Sequence, residues 1–251
     1  MIKHFTHALG YMKITDPKKH HTIIFFDIRN FSEHRSRLAE HRRAKLLTHF
    51  VQDILDNAVD FVNALENEFK VDSEPILNHT GDGFMLILRG DKNPLFGLLW
   101  MSKFRQLVLQ KIKAYELVIS GIFQGNPPKK LSFGIGAHYG LALPFYFKSF
   151  EDDFKTEGFI GSALNIAARV EQCTKDHVHQ VIFTGALLKS VREIIPRGYK
   201  RDFESFWTPL GKHRIRGFET PRWLYGFEPG FHRAWRRHPF CSQLVLHNVI
   251  P

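Results

Sequence analysis

The chain of 251 residues is 43% hydrophobic and 24% charged, enough apolar content for a sizeable core, which excludes a chain disordered by composition. Its formal charge of +10 attracts nucleotides, nucleic acids and acidic membranes alike, without choosing among them. The longest apolar runs, such as residues 94–101, are too short to cross a bilayer, and the first sixteen residues lack the continuous apolar core of a signal peptide.

Two cysteines, Cys173 and Cys241, without CxxC spacing exclude a disulfide framework or a cysteine zinc site and fit a reducing cytoplasm. Basic stretches at 41–45 and 232–238 read as a solvated helix face and a basic tail. No RNP, zinc-finger or helix-turn-helix signature accompanies them, so no nucleic-acid partner is expected.

In chain order, residues 21–28 (HTIIFFDI) read as a buried strand, with Asp27 near its end. Residues 39–69 show helical spacing through Leu46, Leu47, Phe50, Ile54, Leu55, Val59 and Val62. Residues 75–79 and 84–88 are expected strands around a tight turn, Thr80-Gly81-Asp82-Gly83. Residues 94–119 form a second long helix. Residues 131–138 and 141–147 form a second hairpin turning at Tyr139-Gly140, and 150–158 are polar and irregular. Residues 162–173 read as helix, 179–183 as strand and 186–194 as helix. Residues 214–216 and 223–227 read as closing strands. The expected division is an N-terminal segment (1–20), one catalytic domain (21–229) and a basic tail (230–251). The fold class is α+β with a mainly antiparallel sheet.

Two aspartates carry the chemistry. A carboxylate at the end of an apolar strand has a desolvation cost and needs a compensating partner. Mg²⁺ or Mn²⁺ is such a partner, and two carboxylates can bridge two cations about 3.5–4 Å apart that clamp a phosphoryl transfer. Taken singly, Asp82 is only a turn former and Asp27 only a cap. Asn165 and Arg169, four residues apart, share one helix face, and arginine's fixed, forked charge suits phosphate.

The segments IIFFDIRNFS, LNHTGDGFMLIL, FGIGAHYG, FIGSALNIAARVEQCTK and LGKHRIRGFETPRWLYGF stand in the order found in class III nucleotidyl cyclases, which the chain resembles from about residue 22 to 227. The resemblance implies a ferredoxin-like, palm-type domain working as a homodimer with shared active sites. It implies an NTP substrate and two divalent cations, Mn²⁺ or Mg²⁺, held by Asp27, Asp82 and the Ile28 carbonyl. Asn165 would orient the ribose and Arg169 stabilise the transition state. Arg216 stands where the family has a triphosphate-binding lysine.

The family's base-reading positions differ. Asn78 stands where adenylate cyclases carry Lys and guanylate cyclases Glu, and Gly158 where Asp, Thr or Cys is usual. Losing both purine-reading side chains resembles the stand-alone pyrimidine cyclases of bacterial anti-phage Pycsar systems. Their cyclic UMP or cyclic CMP activates a downstream effector. Those enzymes carry a Tyr or Arg followed four residues later by Arg in the first helix. Here Arg42 and Arg43 are the nearest basic residues, without an arginine at that spacing. The expectation is a cyclase preferring UTP over CTP. The alternatives are an adenylate cyclase with relaxed base selection and an inactive cyclase-fold module that binds nucleotide.

Overall fold

The computed structural model describes residues 5–7, 10–14, 19–69, 72–90, 92–123, 125–149 and 155–227. The basic cluster at 232–238 and Cys241 therefore lie outside the described residues. The elements are β1 (Phe5–His7), β2 (Gly10–Ile14), β3 (His20–Arg29), α1 (Phe31–Glu40), α2 (Ala44–Phe69), β4 (Ile76–His79), β5 (Gly83–Leu88) and α3 (Asn93–Ile122). They continue with β6 (Ser132–Leu141), β7 (Leu143–Ser149), β8 (Lys155–Ile160), α4 (Ser162–Cys173), β9 (Val181–Thr184), α5 (Gly185–Ile194), a 3₁₀ turn, α6 (Lys200–Glu204), β10 (Trp207–His213) and β11 (Arg222–Phe227).

β3 explains the architecture. Successive side chains of a strand point to opposite faces. Ile24, Phe26 and Ile28 enter the main core, while Ile23 and Phe25 join a second, smaller cluster. β3 lies inside a seven-stranded sheet of order β10-β11-β9-β6-β3-β5-β4. The sheet is antiparallel except where β6 runs parallel to β9, as the sequence reading anticipated. The main core packs side chains of α2, α3 and α5 against one face. At its centre Phe26 lies 5.0 Å from Phe84 and 5.2 Å from Phe104, with Trp100 stacked on Phe104 at 4.4 Å between ring centres. Trp100 Nε1 donates to the Ala58 carbonyl at 3.2 Å and ties α3 to α2. Among the described residues no helix is long and apolar enough to cross a membrane.

Four expectations need correction. The helix expected over 39–69 is two helices. α1 ends where Arg42 adopts φ 55°, and the Arg42 and Arg43 amides donate to the Ala39 and Leu38 carbonyls. That pair of bonds is a left-handed helix stop in which glycine is usual. No turn forms at Tyr139-Gly140: β6 runs through to Leu141, and β7 joins a separate sheet of order β1-β2-β7-β8. Gly140 serves close packing instead, since a Cβ there would lie 3.0 Å from Ala163 Cβ of α4. Within 150–158, residues 155–158 are strand, and part of the N-terminal segment is strand too. The closing strand is β10, and Arg214–Arg216 lies beyond it.

Candidate active site

The face of β3 opposite the main core carries Ile23, Phe25, Asp27 and Arg29 in succession. Strand register extends this into rows. Phe25 pairs with Met85 of β5, and Met85 with Asn78 of β4. Asn78 is therefore on the Asp27 face, half-buried, one row away. Asp27 pairs with Gly83, the residue after Asp82.

The β4–β5 turn brings Asp82 against β3. The Thr80 amide donates to the Gly83 carbonyl at 2.9 Å, and the Ile28 amide donates to the Asp82 carbonyl at 3.3 Å. Gly81 has φ 91°, the conformation that makes glycine the residue for this turn. A side chain at Gly83 would collide with the Phe26 carbonyl, so the hairpin tip can lie close to β3 only with glycine there. The two aspartates feel each other. Burial raises the Asp27 carboxyl above its ordinary value, the Asp82 charge raises it further, and Lys175 and Arg29 pull it back. Among the described residues no group of three or more His, Cys, Asp or Glu side chains is arranged to hold a metal. The site offers two carboxylates and backbone oxygens.

α4 lies across β6 on the same side of the sheet. A Cβ on Gly136 would strike the Glu171 backbone, and one on Gly134 the Glu171 and Thr174 side chains. Glycine at both positions sets how closely the helix approaches. Asn165 is exposed, and half-buried Arg169 donates from Nη1 to Gln172 Oε1 at 2.7 Å.

Arg216 is exposed on a turn closed by the Phe218 amide donating to the Ile215 carbonyl at 3.0 Å, with Gly217 at φ 86°. Ile215 and Phe218 anchor that turn among Ile166, Val170 and Cys173 of α4. Arg216 and Arg169 are therefore carried by one packed unit. Gly158 lies on β8 opposite Phe145, and a Cβ there would come within 2.9 Å of the Phe145 ring. The position is not open space: the Phe145 ring lies against it.

Sequence reasoning missed Arg29, Glu171 and Lys175, whose charges surround Asp27. Arg29 had a legible signal, because it lies two residues after Asp27 and so on the same strand face. Glu171 had none, because only the tertiary fold brings it there.

No protein-family model matches the sequence, and no curated protein matches it. Solved structures do. The adenylyl cyclase CyaB from P. aeruginosa superposes with a TM-score of 0.57 at 19% identity, over 84% of this chain and 94% of that one. The guanylyl cyclase Cya2 gives 0.57 at 14%, over 83% and 91%. A bacterial light-regulated adenylyl cyclase gives 0.59 at 16% over 93% of this chain, which spans only 58% of that larger protein. The rows of strands, the β4–β5 hairpin and α4 thus belong to one known architecture: the chain has the class III adenylyl and guanylyl cyclase fold.

Proposed function

We propose that the chain is a nucleotidyl cyclase that closes a nucleoside triphosphate into a 3′,5′-cyclic nucleotide and releases pyrophosphate. The observation that carries this reading is the juxtaposition of Asp27 and Asp82 by the Asp27–Gly83 register and the bond from the Ile28 amide to the Asp82 carbonyl. Two mutually repelling, half-buried carboxylates favour a cation between them. Asp27, Asp82 and the Ile28 carbonyl would hold two divalent cations, Mn²⁺ or Mg²⁺, as hard oxygen ligands do. Bound there, the cations supply Lewis acidity for the ribose 3′-hydroxyl and for the triphosphate.

The chain's own residues do the rest. Following the resemblance to class III cyclases, a second copy supplies Asn165 and Arg169. A two-fold dimer then has two equivalent composite sites. Asn165 orients the ribose. Arg169 leaves Gln172 and meets the charge that grows on the α-phosphoryl as the 3′-oxygen bond forms and the bond to pyrophosphate breaks. Arg216, on the same packed unit, holds the leaving phosphates. Its fork replaces a lysine's point charge and can bind two oxygens at once.

For the base, Asn78 can donate and accept, and Phe145 fills the side-chain space that Gly158 lacks. Asn78 can meet a pyrimidine or a purine edge, so the pyrimidine reading rests on the loss of both purine-reading side chains, and the substrate favoured is UTP over CTP. The setting would be anti-phage signalling in the cytoplasm, with the cyclic nucleotide acting on a separate effector. Incubation with Mn²⁺ and equimolar ATP, GTP, UTP and CTP, with products identified by mass, tests this. Cyclic UMP is expected to dominate. Mostly cyclic AMP or cyclic GMP overturns the pyrimidine preference and leaves the cyclase reading standing. No cyclic product from any of the four overturns the cyclase reading.

A further inference from the structure

β3 and α4 are joined by a buried ionic contact just beyond the aspartate pair. Arg29 Nη2 lies 3.4 Å from Glu171 Oε1. Arg29 Nη1 donates to the Thr174 carbonyl at 3.3 Å, and Nη2 also donates to Thr174 Oγ1. Thr174 Oγ1 in turn donates to the Glu171 carbonyl at 2.6 Å. Glu171 is only 5% exposed. Gly134 lies directly against the contact, where a Cβ would sit 2.6 Å from Arg29 Nη2. The cluster therefore fits under no larger residue.

The arrangement is poorly explained as a source of stability. A buried ion pair generally holds a fold no better than well-packed apolar side chains of the same size. Here it is worse placed than most. Burial raises the Glu171 carboxyl, the Asp27 charge raises it further, and Arg29 and Lys175 offset only part. Arg29 Nε is buried and finds no acceptor among the described residues. The arrangement does fix geometry. Asp27 and Arg29 lie on one face of one strand, two residues apart. On the other side Ile28 is held by the core and by the bond from its amide to Asp82. With Arg29 anchored on α4, the end of β3 is restrained from both faces.

We propose that Arg29, Glu171 and Thr174 are positioning residues that clamp the end of β3 to α4 and so hold the Asp27 carboxylate where a divalent cation binds. This rests on the reading of Asp27 as a metal ligand. The groups act through the backbone of β3. Residues that orient metal ligands in this way commonly change metal affinity or activity 10–100-fold when replaced.

The test compares the full chain with the double variant Arg29→Leu/Glu171→Leu. Replacing both charges together leaves neither one buried and unpaired. Mn²⁺ binding is followed by electron paramagnetic resonance, and rates are measured against Mn²⁺ and against NTP. The expected result is a thermal midpoint equal to or above that of the parent. Half-saturating Mn²⁺ is raised about tenfold or more, kcat is lowered, and the KM for NTP changes less. A folded double variant that binds Mn²⁺ within about twofold of the parent, on the same principle, overturns the proposal. If the double variant does not fold, Arg29→Lys decides, since it keeps the charge but loses the fork. Weaker Mn²⁺ binding by Arg29→Lys supports the clamp, and unchanged binding overturns it. A parent chain that binds no Mn²⁺ at all fails the metal reading and the clamp with it. A parent that binds Mn²⁺ normally while the variants also do fails the clamp alone.

Discussion

The two faces of β3 follow different rules. On one, Ile24, Phe26 and Ile28 pack into an aromatic core between the sheet and the long helices. On the other, Ile23 and Phe25 give way to Asp27 and Arg29 within the same ten residues. The first face obeys burial: each side chain removes apolar area from water, and none carries a charge. The second obeys geometry: charges are half-buried, and glycines on β6 let a helix close over them. One strand does both because its alternation keeps the two tasks on opposite sides.

The sharpest way to separate the faces is to cut one residue from each. Phe26→Ala should cost about 3–5 kcal/mol through the cavity it leaves among Phe84, Phe104 and Phe133. Its urea midpoint is expected to fall steeply while any surviving folded enzyme stays active. Asp27→Asn, next in the chain, should do the reverse. Turnover should fall about a thousandfold, the scale of several kcal/mol of lost charge stabilisation. Its thermal midpoint should equal or exceed the parent's, because a half-buried charge beside Asp82 is removed. If Asp27→Asn unfolds instead, the contrast between the faces fails.

A second experiment tests whether the charged face is completed by another copy. Asp27→Ala and Arg169→Ala should each be inactive. Mixed in equal amounts with subunit exchange, about half the dimers are heterodimers with one whole site of two, so activity should return to about one quarter. No recovery despite proven exchange rules out sharing.

A further effect is one of pH, and it probes a polar group on this side of the sheet. His138 is 5% exposed, donates to or accepts from Thr184 Oγ1 at 2.8 Å, and is held by burial at a pKa of about 4. Unfolded, it titrates near 6.5. Between these values the unfolded chain takes up a proton that the folded chain refuses. The His138 contribution is therefore intact above pH 6.5 and is lost as pH falls toward 4, in total about 3 kcal/mol. His138→Gln should flatten the fall of stability over that window in denaturant titrations. An unchanged slope would mean that His138 opens to water before it protonates.

These contrasts mark how far the sequence could be read. Asp27 and Asp82 were legible because each stood at a punctuation mark, a strand end and a glycine-flanked tip. The helix face with Asn165 and Arg169 was legible from spacing alone. Arg42 was not, because arginine seldom takes the left-handed conformation that ends α1. Gly140 was misread because glycine serves two purposes: here it admits Ala163 of α4 rather than a turn. β1 and β2 gave no signal in so short and mixed a stretch. They become strands by pairing with each other and with β7. The Arg29–Glu171 contact joins residues 142 apart in sequence, and no local pattern reports such a meeting.

The hydrogen bond from the Ile28 amide to the Asp82 carbonyl has a consequence for how this protein can drift. It sets the spacing of the two aspartates by main-chain atoms, a carbonyl that every residue type possesses and an amide donor that all but proline possess. Most neighbouring side chains, Arg29 apart, can therefore be exchanged over generations without moving the pair. Besides Gly81 with its left-handed φ, Gly83 is an exception, since any Cβ there meets the Phe26 carbonyl. A saturation library over residues 23–32 and 77–88, selected for turnover, should therefore find this chemically featureless position as intolerant of change as the aspartates themselves.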